Sequence, residues 1–587
     1  MAGEQMRGAE ILLKAFVDQG VKHIFGYPGG AVLPIYDALF QQNRLRHILV
    51  RQEGGAVHAA EGYARSTGEV GVVLVTSGPG ATNAVTGLTD ALMDSIPIVC
   101  VCGQVPTHLI GSDAFQEADT TGITRPCTKH NYLVKDANDL ARVVHEAFYV
   151  ARSGRPGPVV VDLPKDVSAG MGRYAPPSRG VHKSYRPRLK ADATEIKKAV
   201  DLLKAARKPV FYCGGGVINS GPAASRLLTQ LARMTGAPVT LTLMGLGAYP
   251  ASDGQFLGML GMHGTYEANM AMHDCDVMVN IGARFDDRVT GRLDAFSPNS
   301  RKIHIDIDPS SINKNVPVDI GVVGDVAHVL EDIIKVWKSS RARINEAALK
   351  NWWKRIEDWR SVECLKFRRT DEVIKPQRAI RALHEQVKGR EDVFVTTEVG
   401  QHQMWAAQHF GFEKPNRWMT SGGLGTMGYG LPSAMGVQIA HPNALVVDIA
   451  GEASTMMNIQ EMSTIAQYRL PVKVFILNNS YMGMVRQWQE LLHGNRYSES
   501  YMESLPDFVK LAEAFGAVGL RAEKASMLDD VIKEMIETPK AVIADIRVCE
   551  KENCFPMIPS GAAHNEMLLG PADKDEKPIS EDGMVLV

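Results

Sequence analysis

Hydrophobic positions along this chain follow two rhythms. Short unbroken apolar runs, such as 70–75 and 96–101, have strand length and are apolar on both faces. Longer amphipathic stretches such as 8–19 and 55–67 lie between the runs and predict helices. Buried strands alternating with amphipathic helices predict parallel sheets covered by helices on both sides. In a first region, residues 1–175, strands are expected at 21–27, 71–76, 96–103 and 158–163. Residues 176–190 carry prolines and basic residues and read as a solvated linker. In a second region, 191–345, strands are expected at 209–213, 277–281 and 302–306. A polar helix rich in Trp, Lys and Arg, about 341–369, leads to a third region, 370–547. Its strands are expected near 393–397, 444–449, 472–477 and 541–547. Residues 548–587 show little periodicity and read as a tail able to order over an active site. The expected fold is α/β, with three doubly wound parallel-sheet domains and a C-terminal tail.

Composition narrows the class. A chain of 587 residues exceeds one hydrophobic core and calls for several domains. With 45% hydrophobic and 22% charged residues it reads as globular. A net charge of −2 and no basic stripe argue against nucleic acid or a membrane surface as partner. No apolar run is long enough to span a bilayer. Met1 to Gln5 run straight into a helix with no secretory or transit pattern, so a cytoplasm is expected, or an organelle if a transit peptide has been removed. No pair among the eight cysteines has zinc or redox spacing, and Cys100, Cys102 and Cys213 fall inside apolar strands, as small buried residues of a reducing compartment.

The most specific segment runs Val447-Asp448-Ile449-Ala450-Gly451-Glu452-Ala453-Ser454, followed one βαβ crossover later by Leu477-Asn478-Asn479. Ends of neighbouring parallel strands emerge on one sheet edge, where ligands bind. A carboxylate at 452 and an amide at 479 are hard oxygen ligands suited to Mg²⁺ that also holds a diphosphate. A helix start at 453–455 offers N–H groups to that diphosphate. Alone, the segment reads equally as a capped helix and an Asn turn. Glu53, in Arg51-Gln52-Glu53-Gly54-Gly55-Ala56, opens a helix. Such a glutamate is most often a dipole partner, but thiamine chemistry needs a carboxylate at N1′ of the aminopyrimidine. Phe25-Gly26-Tyr27-Pro28-Gly29-Gly30-Ala31 is a strand-to-helix turn that permits close backbone approach, or simply a tight turn.

The spacing resembles the thiamine-diphosphate motif, Gly-Asp-Gly and then Asn-Asn about two dozen residues on. Here Glu452 replaces the usual aspartate and Ala453 the second glycine, with Asn479 lying 27 positions after Glu452. Together with Thr76-Ser77-Gly78-Pro79-Gly80-Ala81-Thr82-Asn83, Ala114-Phe115-Gln116-Glu117, Asp162-Leu163-Pro164-Lys165-Asp166, Gly282 to Arg288, Gly400 to Trp405, Gly422 to Gly430 and Met482 to Trp488, the chain resembles acetohydroxyacid (acetolactate) synthase catalytic subunits from about residue 6 to 570.

The resemblance implies thiamine diphosphate, Mg²⁺ and FAD as cofactors. It implies decarboxylation of pyruvate and joining of the fragment to pyruvate or 2-ketobutyrate. The products would be 2-acetolactate or 2-aceto-2-hydroxybutyrate, which enter valine, leucine and isoleucine synthesis. By the same resemblance Glu53 activates the cofactor, and Gln116, Lys165 and Arg288 join it in catalysis, with Arg288 a fork for the second keto acid. Tyr27, Pro28, Gly29, Gly30, Pro79 and Asn83 flank the aminopyrimidine, Gly425 bonds its amine and Met427 bends the cofactor. Val399, Gly400, Gln401, His402, Gly451, Ala453 and Ser454 hold its diphosphate, and Met482, Gly483 and Met484 also bind the cofactor. Glu452, Asn479 and the carbonyl of Tyr481 hold the metal. FAD would contact Arg155, Gly214, Gly215, Gly216, Thr242, Leu243, Met244, Met259, Leu260, Gly261, Met262, His263, Gly282, Ala283, Arg284, Asp286, Asp306, Ile307, Asp325 and Val326, without net redox change. Ala31, Pro106, Ala114, Phe115, Met262, Asp287, Arg288, Met484, Val485 and Trp488 would line a substrate channel, where the family's herbicides also bind. Glu53 and Glu452 fall in different domains, and in the family they meet across a dimer interface. A homodimer or tetramer and a small valine-binding regulatory subunit are the implied partners. Two rival readings are a pyruvate oxidase-like flavoenzyme and a noncatalytic assembly protein with an impaired metal site.

Overall fold

The computed structural model describes residues 4–177, 182 and 184–571. Three six-stranded sheets follow one another along the chain, and every strand pair within them is parallel. The first contains β1 (His23–Gly26), β2 (Arg46–Leu49), β3 (Gly71–Val75), β4 (Ile98–Gln104), β5 (His130–Leu133) and β6 (Val159–Pro164), in spatial order β2-β1-β3-β4-β6-β5. The second contains β7 (Pro209–Cys213), β8 (Val239–Leu241), β9 (Phe256–Met259), β10 (Val277–Ile281), β11 (Arg301–Asp306) and β12 (Ile320–Val323), ordered β9-β8-β7-β10-β11-β12. The third contains β13 (Val393–Thr397), β14 (Trp418–Met419), β15 (Leu445–Ala450), β16 (Lys473–Asn478), β17 (Val518–Ala522) and β18 (Val542–Arg547), ordered β14-β13-β15-β16-β18-β17. The first and third sheets therefore share one topology.

Central strands are buried at every position, as in β3, β10 and β15, because helices cover both faces. The sequence pattern finds these strands to within a residue or two. It misses β2, β5 and β17, whose half-exposed edge positions break the apolar run, and the two-residue β14. The short inner strand β8 and the outer strands β9 and β12 of the second sheet also escape it. A short antiparallel ribbon pairs Glu4–Arg7 with Met171–Tyr174 and ties the start of the chain to the end of the first sheet's region.

Each sheet has a crevice where the strand order reverses, the place where ligands bind in such folds: between β1 and β3, between β7 and β10, and between β13 and β15. All three crevices are closed by glycine. A Cβ at Gly29 would lie 2.4 Å from the Thr76 hydroxyl, one at Gly214 would lie 2.4 Å from the carbonyl of Gly282, and one at Gly451 would lie 2.8 Å from His402. A side chain at these positions would meet the Thr76 and His402 side chains or the Gly282 backbone, so glycine leaves room for a ligand above.

The polar helix expected at 341–369 occupies Glu346–Arg360, with Asn345 capping it. Its tryptophans dock on the second sheet's domain: Trp352 donates to the carbonyl of Pro209 (3.1 Å) and Trp353 to that of Gly236 (2.8 Å). Of the linker, residues 178–181 and 183 lie outside the described residues, while Tyr185 donates to the carbonyl of Ser153 (2.9 Å). Of the tail, 572–587 lie outside them. The described part leaves β18 and packs on the loops carrying Met262 and Arg288: the Ile558 N–H donates to the Met262 carbonyl (2.7 Å), and the His564 imidazole pairs with the Val289 carbonyl (2.7 Å).

Candidate active site

The β13/β15 crevice collects the residues expected to hold diphosphate and metal. Glu452 opens a short helix after β15 and is 1% exposed, yet its Oε1 has no hydrogen-bond partner. Burial pushes its carboxyl up to about 7, partly offset by backbone N–H groups of Glu452, Asn479 and Tyr481. A buried carboxylate without a counter-charge is costly, and a bound cation relieves it. The donors beside it are an amide oxygen and a backbone carbonyl, a hard-oxygen set that fits a divalent metal. Asn479 is held in place: its Nδ2 donates to Gln401 Oε1 (3.3 Å) and its Oδ1 accepts from the Tyr481 N–H (3.2 Å). His402 is 7% exposed, its Nε2 has no partner, and burial lowers its pKa to about 3, so it stays neutral. A Cβ at Gly483 would sit 2.1 Å from Gln401 Oε1, so the turn after Asn479 passes directly over the cradle. The residues present fit a metal-bound diphosphate.

A helix, Gly483–Leu492, rises from this turn. It buries Arg486 and Gln487 and turns Met484 and Trp488 into a cavity of about 710 Å³. Arg486 is clamped by Glu490 (2.7 Å), Asn553 (2.6 Å) and the Glu552 carbonyl (2.8 Å). Gln487 accepts from Gln401 (2.8 Å) and from the Cys554 N–H (2.8 Å). Cradle, helix and tail are thereby one rigid unit. Arg486 and Gln487 belong to a motif that stood out in the sequence, but their anchoring role depends on residues 552–554, which pattern reading cannot place.

The same cavity is lined by every residue expected at FAD except Gly261, together with Arg288, Val399, Gln403, Met404, Gly425, Met484 and Trp488. The β7/β10 crevice forms its floor. A Cβ at Gly216 would lie 2.7 Å from the Gly282 Cα, and Gly282 has φ +65°. Polar groups ring it: Arg284 pairs with Asp286 (2.7 Å), and Arg155 lies 3.7 Å from Asp308. Asp325 faces the cavity but spends its carboxylate on Ser220 (2.8 Å) and on the N–H of Ala327 (3.1 Å), capping a helix. An elongated ligand with a phosphate-bearing middle fits this glycine-floored, arginine-flanked space.

The third group gathers at the β1/β3 crevice. Glu53 is the first residue of the helix Glu53–Thr67, capped by Gln52. Its carboxylate accepts from Asn83 Nδ2 (3.0 Å). Glu461 of the third region accepts from the N–H groups of Arg51 (2.9 Å) and Gln52 (3.1 Å), which fixes the helix start. Around Glu53 the surface is open: Tyr27, Pro28, Gly30, Pro79 and Asn83 are exposed, and Phe115 is 89% exposed. Gln116 has φ +60°, with its backbone against Gly78. Ala31 is buried, whereas Pro106, Ala114 and Lys165 are half-buried.

Within one chain, then, the diphosphate and metal residues come together, and the FAD residues join Met262, Arg288, Met484 and Trp488. Among the described residues no hydrogen bond or ion pair joins the Glu53 side chain to the Glu452 cradle, and the channel residues split likewise. Ala31, Pro106, Ala114, Phe115 and Lys165 stand on the first region. Met262 and Arg288 line the cavity, while Asp287 and Val485 stay exposed.

Comparison with known proteins places the three regions in one family. The thiamine pyrophosphate enzyme family matches in three pieces: an N-terminal TPP binding domain over residues 6–123, a central domain over 196–333 and a C-terminal TPP binding domain over 398–546. The acetolactate synthase large subunit of Haemophilus influenzae is 50% identical over 569 residues, 96% of this chain and 98% of its own. The acetolactate synthase isozyme 3 large subunit of Escherichia coli is 50% identical over 576 residues, 97% and 100% of the two chains. An acetolactate synthase of Mycobacterium bovis is 46% identical over 590 residues, 99% and 94%. With the domain order matched and near-complete coverage at such identity, the chain belongs to the acetolactate synthase large-subunit family.

Proposed function

We propose that the acetolactate synthase reaction of this family takes place, in this chain, at a site shared by two copies. It decarboxylates pyruvate and joins the fragment to a second pyruvate or to 2-ketobutyrate. The carrying observation is the buried Glu452 carboxylate, whose Oε1 has no partner, beside the Asn479 backbone at the β13/β15 crevice. When bound there, thiamine diphosphate supplies the electron sink that lets a 2-keto acid lose CO₂. Glu452, Asn479 and the Tyr481 carbonyl would hold Mg²⁺, Val399, Gly400, Gln401, His402, Gly451, Ala453 and Ser454 would hold the diphosphate, and Met482, Gly483 and Met484 would bind the cofactor beside them. Gly425, with φ +75°, offers backbone to the aminopyrimidine amine, and Met427 packs beside it. Glu53, oriented by Asn83, holds a proton at N1′ of the aminopyrimidine. Its exposed setting, ringed by Tyr27 and Phe115, suits a partner surface rather than solvent.

Arg288 stands at the cavity, half-exposed and only loosely paired with Asp287 at 3.8 Å, which leaves its guanidinium free to take a keto-acid carboxylate. Met262, Met484 and Trp488 exclude water from the cavity, and Gln116 and Lys165 approach from the other chain. FAD fills the central cavity in a structural role. A homodimer is the minimal assembly, with a small regulatory subunit as further partner. Among the described residues no helix is long and apolar enough to cross a membrane. Bacterial relatives favour a cytoplasmic setting.

Titration of the cofactor-stripped chain with Mg²⁺ and thiamine diphosphate tests the reading. Wild type is expected to bind both and to form acetolactate from pyruvate, whereas Glu452→Gln loses metal-dependent binding. Equal binding by the variant would refute the metal assignment.

A further inference from the structure

The loop 421–429, between β14 and the helix Gly430–Ala440, carries Gly425 and Met427 and is exposed at its tip. Polar side chains hold it on both sides of that tip. The Asp94 carboxylate accepts from the N–H groups of Gly422 (2.9 Å) and Gly423 (2.7 Å). Asp90, fully buried, accepts from the hydroxyls of Ser421 and Thr426, the latter at 3.0 Å. The Ser421 hydroxyl in turn accepts from the Thr426 N–H (2.8 Å). Glu398, also fully buried, accepts from the N–H groups of Gly428 (2.6 Å) and Leu431 (3.0 Å). Arg65 bridges the two ends, donating to the Thr420 carbonyl (2.5 Å) and the Tyr429 hydroxyl (3.3 Å).

Three of these four side chains come from the first region. Asp90 lies in the helix Val85–Met93 and Asp94 caps its end, one turn apart on the same face. Arg65 lies in the last turn of the helix Glu53–Thr67, whose first residue is Glu53. Glu53 and Arg65 lie about 18 Å apart along that helix at 1.5 Å per residue. Its carboxylate end faces open surface, whereas its arginine end grips a loop of its own chain. Packing the two regions together needs none of this detail. An apolar seam already runs between them, from Ala56, Ala59 and Ala60 to Leu431, Ala434 and Met435. Buried polar side chains bonded to the N–H groups, hydroxyls and a carbonyl of one loop instead set the shape of that loop.

We propose that Arg65, Asp90, Asp94 and Glu398 are positioning residues that hold the 421–429 loop in its cofactor-bearing shape. Each first region thereby serves two sites: Glu53 reaches the partner's, and the clamp sets its own chain's. The proposal rests on the cofactor reading given above. It predicts that loosening the clamp costs cofactor affinity before it costs turnover.

Thr426→Val keeps the side-chain volume and removes one bond to Asp90, and Thr426→Ser restores it. Two readouts apply. One is thiamine diphosphate affinity at saturating Mg²⁺, from quenching of intrinsic tryptophan fluorescence. The other is hydrogen exchange of the Gly422, Gly423 and Gly428 amides. Thr426→Val is expected to weaken binding about fivefold, the scale of one lost buried hydrogen bond, with faster exchange across the loop. Thr426→Ser should stay within about twofold of wild type on the same scale. Asp94→Asn, which leaves the loop's sequence intact, should act in the same direction as Thr426→Val. Wild-type affinity and exchange in both Thr426→Val and Asp94→Asn would overturn the clamp alone. A wild-type chain that binds no thiamine diphosphate would overturn the cofactor reading and the clamp with it.

Discussion

Glu452 replaces the aspartate of the thiamine-diphosphate motif, and its longer side chain is fully buried beside Asn479. The carboxylate keeps its ligand chemistry with one more methylene of reach. Glu452→Asp should therefore keep Mg²⁺ but hold it more weakly, while Glu452→Gln should lose it. Calorimetric titration with Mg²⁺ in the presence of thiamine diphosphate ranks the two. Glu398 carries a pH consequence of its own, because burial pushes its carboxyl from 4.5 to about 7. The folded chain keeps a proton there that the unfolded chain releases. This contribution to stability is complete below 4.5 and is lost as pH rises toward about 7. Glu398→Gln should flatten that part of the pH dependence, as read from denaturant midpoints at successive pH values. An identical slope in the variant would contradict the buried-proton account. At this scale the sequence shows the chemistry-bearing residues that sit in short local motifs: Glu53, Glu452, Asn479 and the glycines around them. It does not show Asp90, Asp94 or Glu398, nor the anchoring role of Arg486. Their partners lie tens to hundreds of positions away, as with Asp94 and Gly422, and no local pattern encodes that pairing.

Strand ends and the glycines that follow them make the ligand crevices, and this is why the central strands and the candidate sites are legible together. A fully buried parallel strand must be apolar on both faces, and the turn after it must be glycine-rich if a ligand is to sit there. Edge strands carry no such signal, which explains the missed β2, β5 and β17. The glycine argument has a direct test in the second sheet. Gly216→Ala would drive a Cβ to 2.7 Å from the Gly282 Cα, against backbone that cannot yield. The flavin absorbance retained per chain after desalting should then fall at least roughly tenfold, as expected when a tightly packed crevice is forced apart. Full retention of flavin would mean that the crevice is not where FAD sits.

At the scale of the whole molecule, no hydrogen bond or ion pair among the described residues joins the Glu53 side chain to the Glu452 cradle of its own chain. The shared topology of the first and third sheets suits a twofold arrangement, in which the first region of one chain faces the third region of another. A mixed dimer of Glu53→Gln and Asn479→Ala chains would carry both lesions in one site and none in the other. Each homodimer should be inactive, and the mixed dimer should recover roughly half the activity of wild type, one intact site of two. No recovery on mixing would place both residues in one chain's site. The chain topology and the fold class follow from periodicity, whereas the assembly comes from the resemblance and from the exposed ring around Glu53. The most direct measurement is the product formed from pyruvate by the chain supplied with thiamine diphosphate, Mg²⁺ and FAD. The account predicts CO₂ and 2-acetolactate, with the flavin oxidised throughout, and 2-aceto-2-hydroxybutyrate once 2-ketobutyrate is added. Acetate and peroxide with a flavin that is reduced during turnover, and no acetolactate, would contradict it.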